Sequence, residues 1–331
     1  MTQYLITLRP VDGFFFGGAE TFGDGKNTNY LVRSDKLPQQ TTLIGMLRKE
    51  ILRQHGPFKA LYHDYTNDEK TKMAERIGSK PFSFSGPNKF GALKRVSPVF
   101  LTDGTKNYIP IPLDHDINLI VKQDRIFGST AMKIFRHGAP TGYDGKKGLP
   151  SGFMASNGEC MDDEDIFIRI EKVGIRKDKW DEDDEKAFYK QTRYKLKRNF
   201  RFAFIVDCDL NLGNALVEMG GERSIFAMTV TETSDCFEKI FSAIHCSGHL
   251  LLADTLTENA IYDACTHAIA DIVPFRHFEN QMDKYKSLDK SPVTFLLKRG
   301  TVLYGDRGKI EACLNKDALT RCGFNIVKYI N

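Results

Sequence analysis

The first forty residues constrain the fold more than any other part of the chain. Residues 3–9, QYLITLR, alternate apolar and polar side chains, the period of a strand with one buried face, and Pro10 closes them. The following stretch, DGFFFGGAETFGDGKN, carries Gly13, Gly17, Gly18, Gly23 and Gly25 and reads as a loop. Phe14, Phe15, Phe16 and Phe22 lie inside it and suggest a loop that is anchored rather than loose. After Pro38, Thr41 and Thr42 can cap a helix, LIGMLRKEILRQ. Leu43, Leu47 and Ile51 recur every four residues with Ile44 beside them, which makes one apolar stripe. Arg48, Lys49 and Arg53 flank the stripe, and Gly56-Pro57 ends it.

Composition supports a folded chain. It has 331 residues, 41% of them apolar and 11% aromatic, enough for sizeable cores and against intrinsic disorder. At roughly 100–200 residues per domain, that length suggests two domains or one large one. The formal charge of +4 excludes a polycation and an acidic tail, but not a local basic footprint for nucleic acid. Seven cysteines form an odd set without framework spacing, as expected for reduced thiols in a cytoplasmic protein. The start, MTQYLITLRPVDG, has no signal-peptide pattern, and no apolar run approaches the ~18 residues of a membrane span.

Residues 78–160 are rich in Gly and Pro between short β-like runs, RVSPVFL and NYIPIPL, and 127–158 is the least regular part. Loops longer than ~12–15 residues are usually functional or disordered. An acidic patch, 162–165, leads into the strand IFIRIEKVGI, and the domain boundary is placed there. After the acidic 181–185 comes YKQTRYKLKRNFRFAFIVDCD. Read as one strand, it puts Arg193, Lys195, Lys197 and Arg201 on one face and Tyr194, Leu196, Phe200 and Phe202 on the other. Two readings stand open: a basic face for phosphates, or a solvated strand beside the acidic loop. A helical segment, LGNALVEM, then Gly220-Gly221 and the strand SIFAMTV resemble part of a βαββαβ layout, in which glycines let backbone N–H groups approach a phosphate. A further helix is expected around Ile261–Ile272, then strands VTFLLK and GTVLYG.

Catalytic and metal signals are sparse. His245, Cys246 and His249, with Cys236 upstream, offer only one tidy ligand pair, so neither a metal nor a cofactor is expected. GxSxG, Walker, HExxH and paired CxxC motifs are missing. His55 and His63 near the first helix could serve as a base for metal-independent RNA cleavage, or be plain surface residues.

The run RPVDGFFFGGAETFGDG followed by KLPQQTTLIGMLRKEIL resembles the N-terminus of CRISPR-associated RAMP proteins. Those proteins carry a proline-aspartate-phenylalanine opening and then a "PP-x-x-T-x-x-G-x-x-R" helix start. YIPIPLD (108–114), EKVGIRKD (171–178), EKAFYK (185–190), MGGERSIFAM (219–228), RGTVLYGD (299–306) and RCGFN (321–325) follow in the expected order. Within that superfamily the resemblance is to the group-five Cas family that supplies the third subunit of type III-B (Cmr) effector complexes. It implies an α+β fold of two ferredoxin-like (RRM-like) domains: 1–165, carrying a loop-rich insertion at about 78–160, and 166–331.

The same resemblance implies a non-catalytic, cytoplasmic RNA-binding subunit in antiviral defence. Such a subunit holds the 5′ handle of the crRNA and docks the large polymerase-like Cas subunit and the backbone RAMP subunits, meeting target RNA indirectly, with no membrane partner. Expected RNA contacts are Thr41 and Thr42 at a helix N-terminus, Gly45 for close approach, and Arg48 and Lys49 for charge. Gly220 and Gly221 with Arg223 and Ser224 make a second group, and Lys26, Arg136, Lys146 and Lys147 reach out from loops. The alternatives are a RAMP endoribonuclease processing precursor crRNA through His55 or His63, the equivalent subunit of another type III complex, and a protein-only scaffold.

Overall fold

A computed structural model describes residues 1–17, 31–59, 65–115, 118–119, 140–141, 148–175, 188–278 and 291–329. The opening strand, Thr2–Pro10, lies inside a nine-stranded sheet. It pairs antiparallel with Arg201–Cys208 on one side and with Ser224–Glu232 on the other. Ala215–Met219 forms the sheet edge beyond Ser224–Glu232. On the other side, Phe100–Thr102, Asn107–Pro110, Phe153–Ala155 and Cys160–Met161 continue the sheet, and Leu93–Val96 also pairs with Arg201–Cys208. Strands from both sides of residue 165 are therefore neighbours in one sheet.

Alternation along the central strands divides the interior into two layers. Tyr4, Ile6, Leu8, Phe202, Phe204 and Val206 point to one face, against Leu43, Leu47 and Ile51 of the long helix, Gln40–His55. Ala203 and Ile205 point to the other, against Phe237, Phe241, Leu250 and Val302. A strand whose every residue is apolar reads as a continuous run in sequence because both its faces are covered. A four-stranded sheet, Phe167–Ile175, Phe188–Leu196, Leu31–Asp35 and Phe16–Gly17, stands beside the first, with Leu31–Asp35 parallel to Phe188–Leu196. Near the C-terminus His249–Leu251, Cys265–Ile269, Val302–Gly305 and Val327–Lys328 make another. Among the described residues no helix is long and apolar enough to cross a membrane.

The start of the glycine-rich loop is anchored through its phenylalanines, while Phe22 lies outside the described residues. Phe14, Phe15 and Phe16 are all buried. The Phe14 ring lies 4.8 Å from that of Phe16 and 5.2 Å from that of Phe202, and Phe16 stacks on Phe226 at 5.9 Å. Phe14 also exchanges main-chain hydrogen bonds with Tyr194, at 2.8 and 3.2 Å, which ties the second sheet to the first.

Several sequence expectations need correction. LGNALVEM is a strand, not a helix: Val217 and Met219 are buried and Leu216 and Glu218 exposed, period two, and Ser224–Met228 supplies the partner. Short apolar runs fit both periods, and pairing decides. Ile261–Ala264 is a single helical turn, after which Cys265–Ile269 and Ile272–Phe275 are strands. The basic segment does not form one face, because it breaks at residues 197–200 and its halves belong to different sheets. Arg193 is buried, and Lys195 pairs with Asp12 at 2.5 Å. The helix Asn67–Ile77 has no counterpart in the sequence reading. It starts with a capping box, in which Thr66 and Glu69 satisfy each other's main-chain N–H groups.

Phe14→Ala removes a fully buried ring from the contact between the two sheets. It is expected to cost about 3–5 kcal/mol in urea unfolding.

Candidate nucleic-acid interface

The long helix runs antiparallel to the edge strand Ala215–Met219, and side chains mark the register. Gln54 accepts from the main-chain N–H of Gly213 at 2.8 Å and donates to its carbonyl at 3.1 Å. Arg53 donates to the Leu216 carbonyl at 3.1 Å, and Lys49 pairs with Glu218 at 2.9 Å. Four helical residues rise about 6 Å and two strand residues about 6.6 Å, so the match persists along both elements. The Lys49–Glu218 pair sets the helix beside the end of the strand, which leads directly into the turn Gly220–Arg223. The fold thus brings together two groups of candidates that lie about 175 residues apart in the chain.

Thr41, Thr42, Gly45 and Lys49 follow one stripe of the helix, half-buried at the threonines and exposed at Gly45. A Cβ at Gly45 would meet nothing within 4 Å, so the backbone faces open space there. The N-cap is Gln39 rather than Thr41 or Thr42, and no side chain caps the helix. Gln40 is buried and donates to the Ser97 carbonyl at 2.8 Å, while the N–H of Thr42 already donates to the Gln39 carbonyl at 3.0 Å. The accessible part of this helix is therefore its flank, not its N-terminal tip.

Arg48 departs from its expected role. Its guanidinium donates to the Gly78 carbonyl at 3.1 Å and lies 5.2 Å from the centre of the Phe90 ring. Burial lowers its pKa to about 10, which still leaves it charged near neutrality. It clamps the long helix to the C-terminus of Asn67–Ile77, so it faces protein rather than solvent.

The glycine turn also departs from the phosphate-cradle reading. Gly220 has φ 79°, and a Cβ there would lie 2.5 Å from the Phe15 carbonyl oxygen. A Cβ at Gly221 would lie 2.7 Å from the Phe15 ring, and the Gly221 N–H donates to the Phe15 carbonyl at 2.8 Å. Ser224 is buried; its hydroxyl accepts from the Phe15 N–H at 3.2 Å and donates to the Gly221 carbonyl at 3.2 Å. The close approach that requires these glycines is to the chain's own Phe15-Phe16. Arg223 is different: it is exposed and held in the left-handed region at φ 51°.

Cations surround the carboxylate that precedes the turn. The hydrogen bond from Lys49 holds the Glu218 carboxyl below its ordinary pKa, and the charges of Lys49, Arg223 and Arg53 act in the same direction. Lys49, Arg53 and Arg223 thus surround Glu218 at the sheet edge, and Arg53 also pairs with Glu50 at 3.0 Å. Lys26, Arg136, Lys146, Lys147 and His63 lie outside the described residues. His55 donates through Nε2 to the Asn211 carbonyl at 2.6 Å. His249 is buried beside the Tyr329 ring at 5.5 Å, which lowers its pKa. The sequence reading placed Arg53 on the flank of the apolar stripe with Arg48 and Lys49 but not among the RNA contacts.

Comparisons with known proteins bear on both segments. The model of the family Cas_Cmr3, described as CRISPR-associated protein, matches residues 6–133 and 146–257, which include 41–49 and 220–224. By fold, the chain is similar to one in the type III-B Cmr-beta complex seen by cryo-EM bound to cognate target RNA. That match has a TM-score of 0.56 at 12% identity and covers 99% of this chain and 96% of that one. A chain of Cmr-beta bound to cognate target RNA and AMPPnP matches with a TM-score of 0.50 at 14% identity, over 91% and 85%. No curated protein matches by sequence.

Gly220→Ala forces both a left-handed alanine and a backbone collision. It is expected to lose at least ~1–2 kcal/mol in urea unfolding. Arg48→Ala is expected to destabilise the protein by a similar ~1–3 kcal/mol through the lost clamp, read in the same assay.

Proposed function

The chain belongs to the Cas_Cmr3 family of CRISPR-associated proteins, and from that premise we propose that it is the non-catalytic RNA-binding subunit of a type III-B (Cmr) effector complex. In this role it works in the cytoplasm, holds the 5′ handle of the crRNA and docks the large polymerase-like subunit and the backbone RAMP subunits. The observation that carries the reading is the register of the long helix on the edge strand. It puts the open backbone at Gly45 and the cations Lys49, Arg53 and Arg223 on one edge of the molecule. Single-stranded RNA bound there would lay its phosphates along the cations and approach the helix where no side chain projects.

On the same reading the chain is two ferredoxin-like units, 1–165 with its insertion and 166–331, interlocked by the opening strand. Because that strand lies between Arg201–Cys208 and Ser224–Glu232, neither unit completes its sheet alone. The likeness to Cmr-beta chains solved with target RNA supports the assignment to an effector assembly.

Binding of a labelled crRNA handle, measured across a salt series, tests the surface. Arg223→Ala is expected to reduce the slope of log K against log salt by about 0.7, one single-strand phosphate contact. Gly45→Ala separates binding from folding. It should stabilise the helix by up to ~1 kcal/mol while weakening handle binding, because the added methyl stands where the backbone is open. Unchanged affinity in both variants would remove this edge from the RNA path. Metal-independent cleavage of repeat RNA, abolished by His55→Ala, would replace the reading with that of an endoribonuclease.

A further inference from the structure

We propose that Cys160 and His115 form a reactive thiol–imidazole pair, a site of oxidation by hydroperoxides at the edge of the central sheet. The two side chains come from segments 45 residues apart, and Cys160 Sγ lies 3.4 Å from His115 Nε2. Cys160 is exposed, whereas Cys208 and Cys322 are buried and Cys236, Cys246, Cys265 and Cys313 are half-buried.

Both partners stand on hydrogen-bonded backbone. Cys160 is in a strand paired with Phe153–Ala155, in register with Met154. His115 ends a tight turn, its N–H donating to the Pro112 carbonyl at 3.0 Å. The segment leading to it is strapped down twice, by Ile111 N–H to the Gly152 carbonyl at 3.1 Å and by Leu113 N–H to the Gly300 carbonyl at 2.8 Å. The neighbouring Asp114 is buried and accepts from the Tyr304 hydroxyl at 2.6 Å and from Ser247. The backbone on both sides of the pair is therefore held by main-chain hydrogen bonds, and Cys160 Sγ also lies 3.8 Å from the Gly158 carbonyl oxygen.

The chemistry follows from the contact. Transfer of the thiol proton to Nε2 leaves a thiolate beside an imidazolium, and the thiolate is the nucleophilic form. It attacks one peroxide oxygen: the S–O bond forms, the O–O bond breaks, and the departing hydroxide takes the proton from Nε2 and leaves as water. Sulfur is oxidised to the sulfenic acid and the hydroperoxide is reduced. The remaining thiols make a built-in comparison. Burial pushes the Cys265 thiol up to about 11 and that of Cys322 to about 12, so both stay protonated and inert.

The full-length protein treated with hydrogen peroxide at pH 7, with sulfenic acid trapped by dimedone and mapped by mass spectrometry, is the direct test. Cys160 is expected to react at least ~10-fold faster than Cys236 or Cys313, and His115→Gln to bring it down to their rate. Iodoacetamide alkylation of the wild-type protein adds a pH profile: Cys160 should keep its rate well below the ~8.5 of an isolated thiol. Labelling of the buried Cys322 reports whether the His115→Gln variant has opened, in which case the wild-type profile decides. Equal rates at Cys160 and Cys236, an unchanged rate in a folded His115→Gln variant, or a profile centred at the ordinary thiol value would each overturn the pair. Fast alkylation without a dimedone adduct would overturn its oxidation by hydroperoxides.

Discussion

The contact between Phe15-Phe16 and Gly220-Gly221 is the constraint from which the arrangement of the candidate interface follows. Here two backbone segments meet at a distance no side chain at Gly220 could allow, and Phe15 exchanges hydrogen bonds with Gly221 and Ser224 through both its N–H and its carbonyl. On one side of this contact Phe14 and Phe16 enter the aromatic layer with Phe202 and Phe226. On the other side the turn is fixed in direction, and Arg223 is left exposed in a left-handed conformation. A residue without glycine's freedom adopts that conformation only when its surroundings over-determine it.

From that fixed turn the edge strand runs back along the long helix, and the polar pairs between them set the register. None of these exposed pairs contributes much to stability, since surface ion pairs are worth about 0–1 kcal/mol. Their effect is positional. They hold Lys49 and Arg53 on the side of the helix that meets the sheet edge, while Leu43, Leu47 and Ile51 face the core. Arg48, one position from Lys49, turns the other way and holds the neighbouring helix through Gly78. Adjacent residues on a helix point about 100° apart, so one basic residue can belong to packing and the next to the surface.

Much of the architecture was legible in the sequence because it rests on local periodicity. The opening strand, the long helix, the strands at 167–175, 224–232, 294–297 and 302–305, and the anchoring of Phe14–Phe16 all follow from alternation, four-residue spacing or aromatic content. The errors share one cause. LGNALVEM, the segment after Ile261 and the supposed basic face at 193–201 are each too short or too interrupted for period alone to decide. Strand partners far along the chain decided them: Ser224–Met228 for the first, Val302–Gly305 for the second, and two separate sheets for the third. The capping box at Thr66 and Glu69 was readable but masked by the weak apolar pattern of the helix it starts, of which only Met73 and Ile77 are buried.

By itself, the sequence determined that this chain folds around an alternating first strand and an aromatic-anchored glycine loop, and its ordered motifs pointed to the family to which it belongs. Those features are local, and elementary sterics and burial read them directly. Only the tertiary structure decided what the glycines and cations do. Gly220 and Gly221 serve the approach of Phe15, Arg48 serves helix packing, and Gly45, Lys49, Arg53 and Arg223 share one open edge. The physical reason is that a left-handed turn, a clamp or a surface cation is defined by what stands opposite it, and here those partners lie between 30 and more than 200 residues away in the chain.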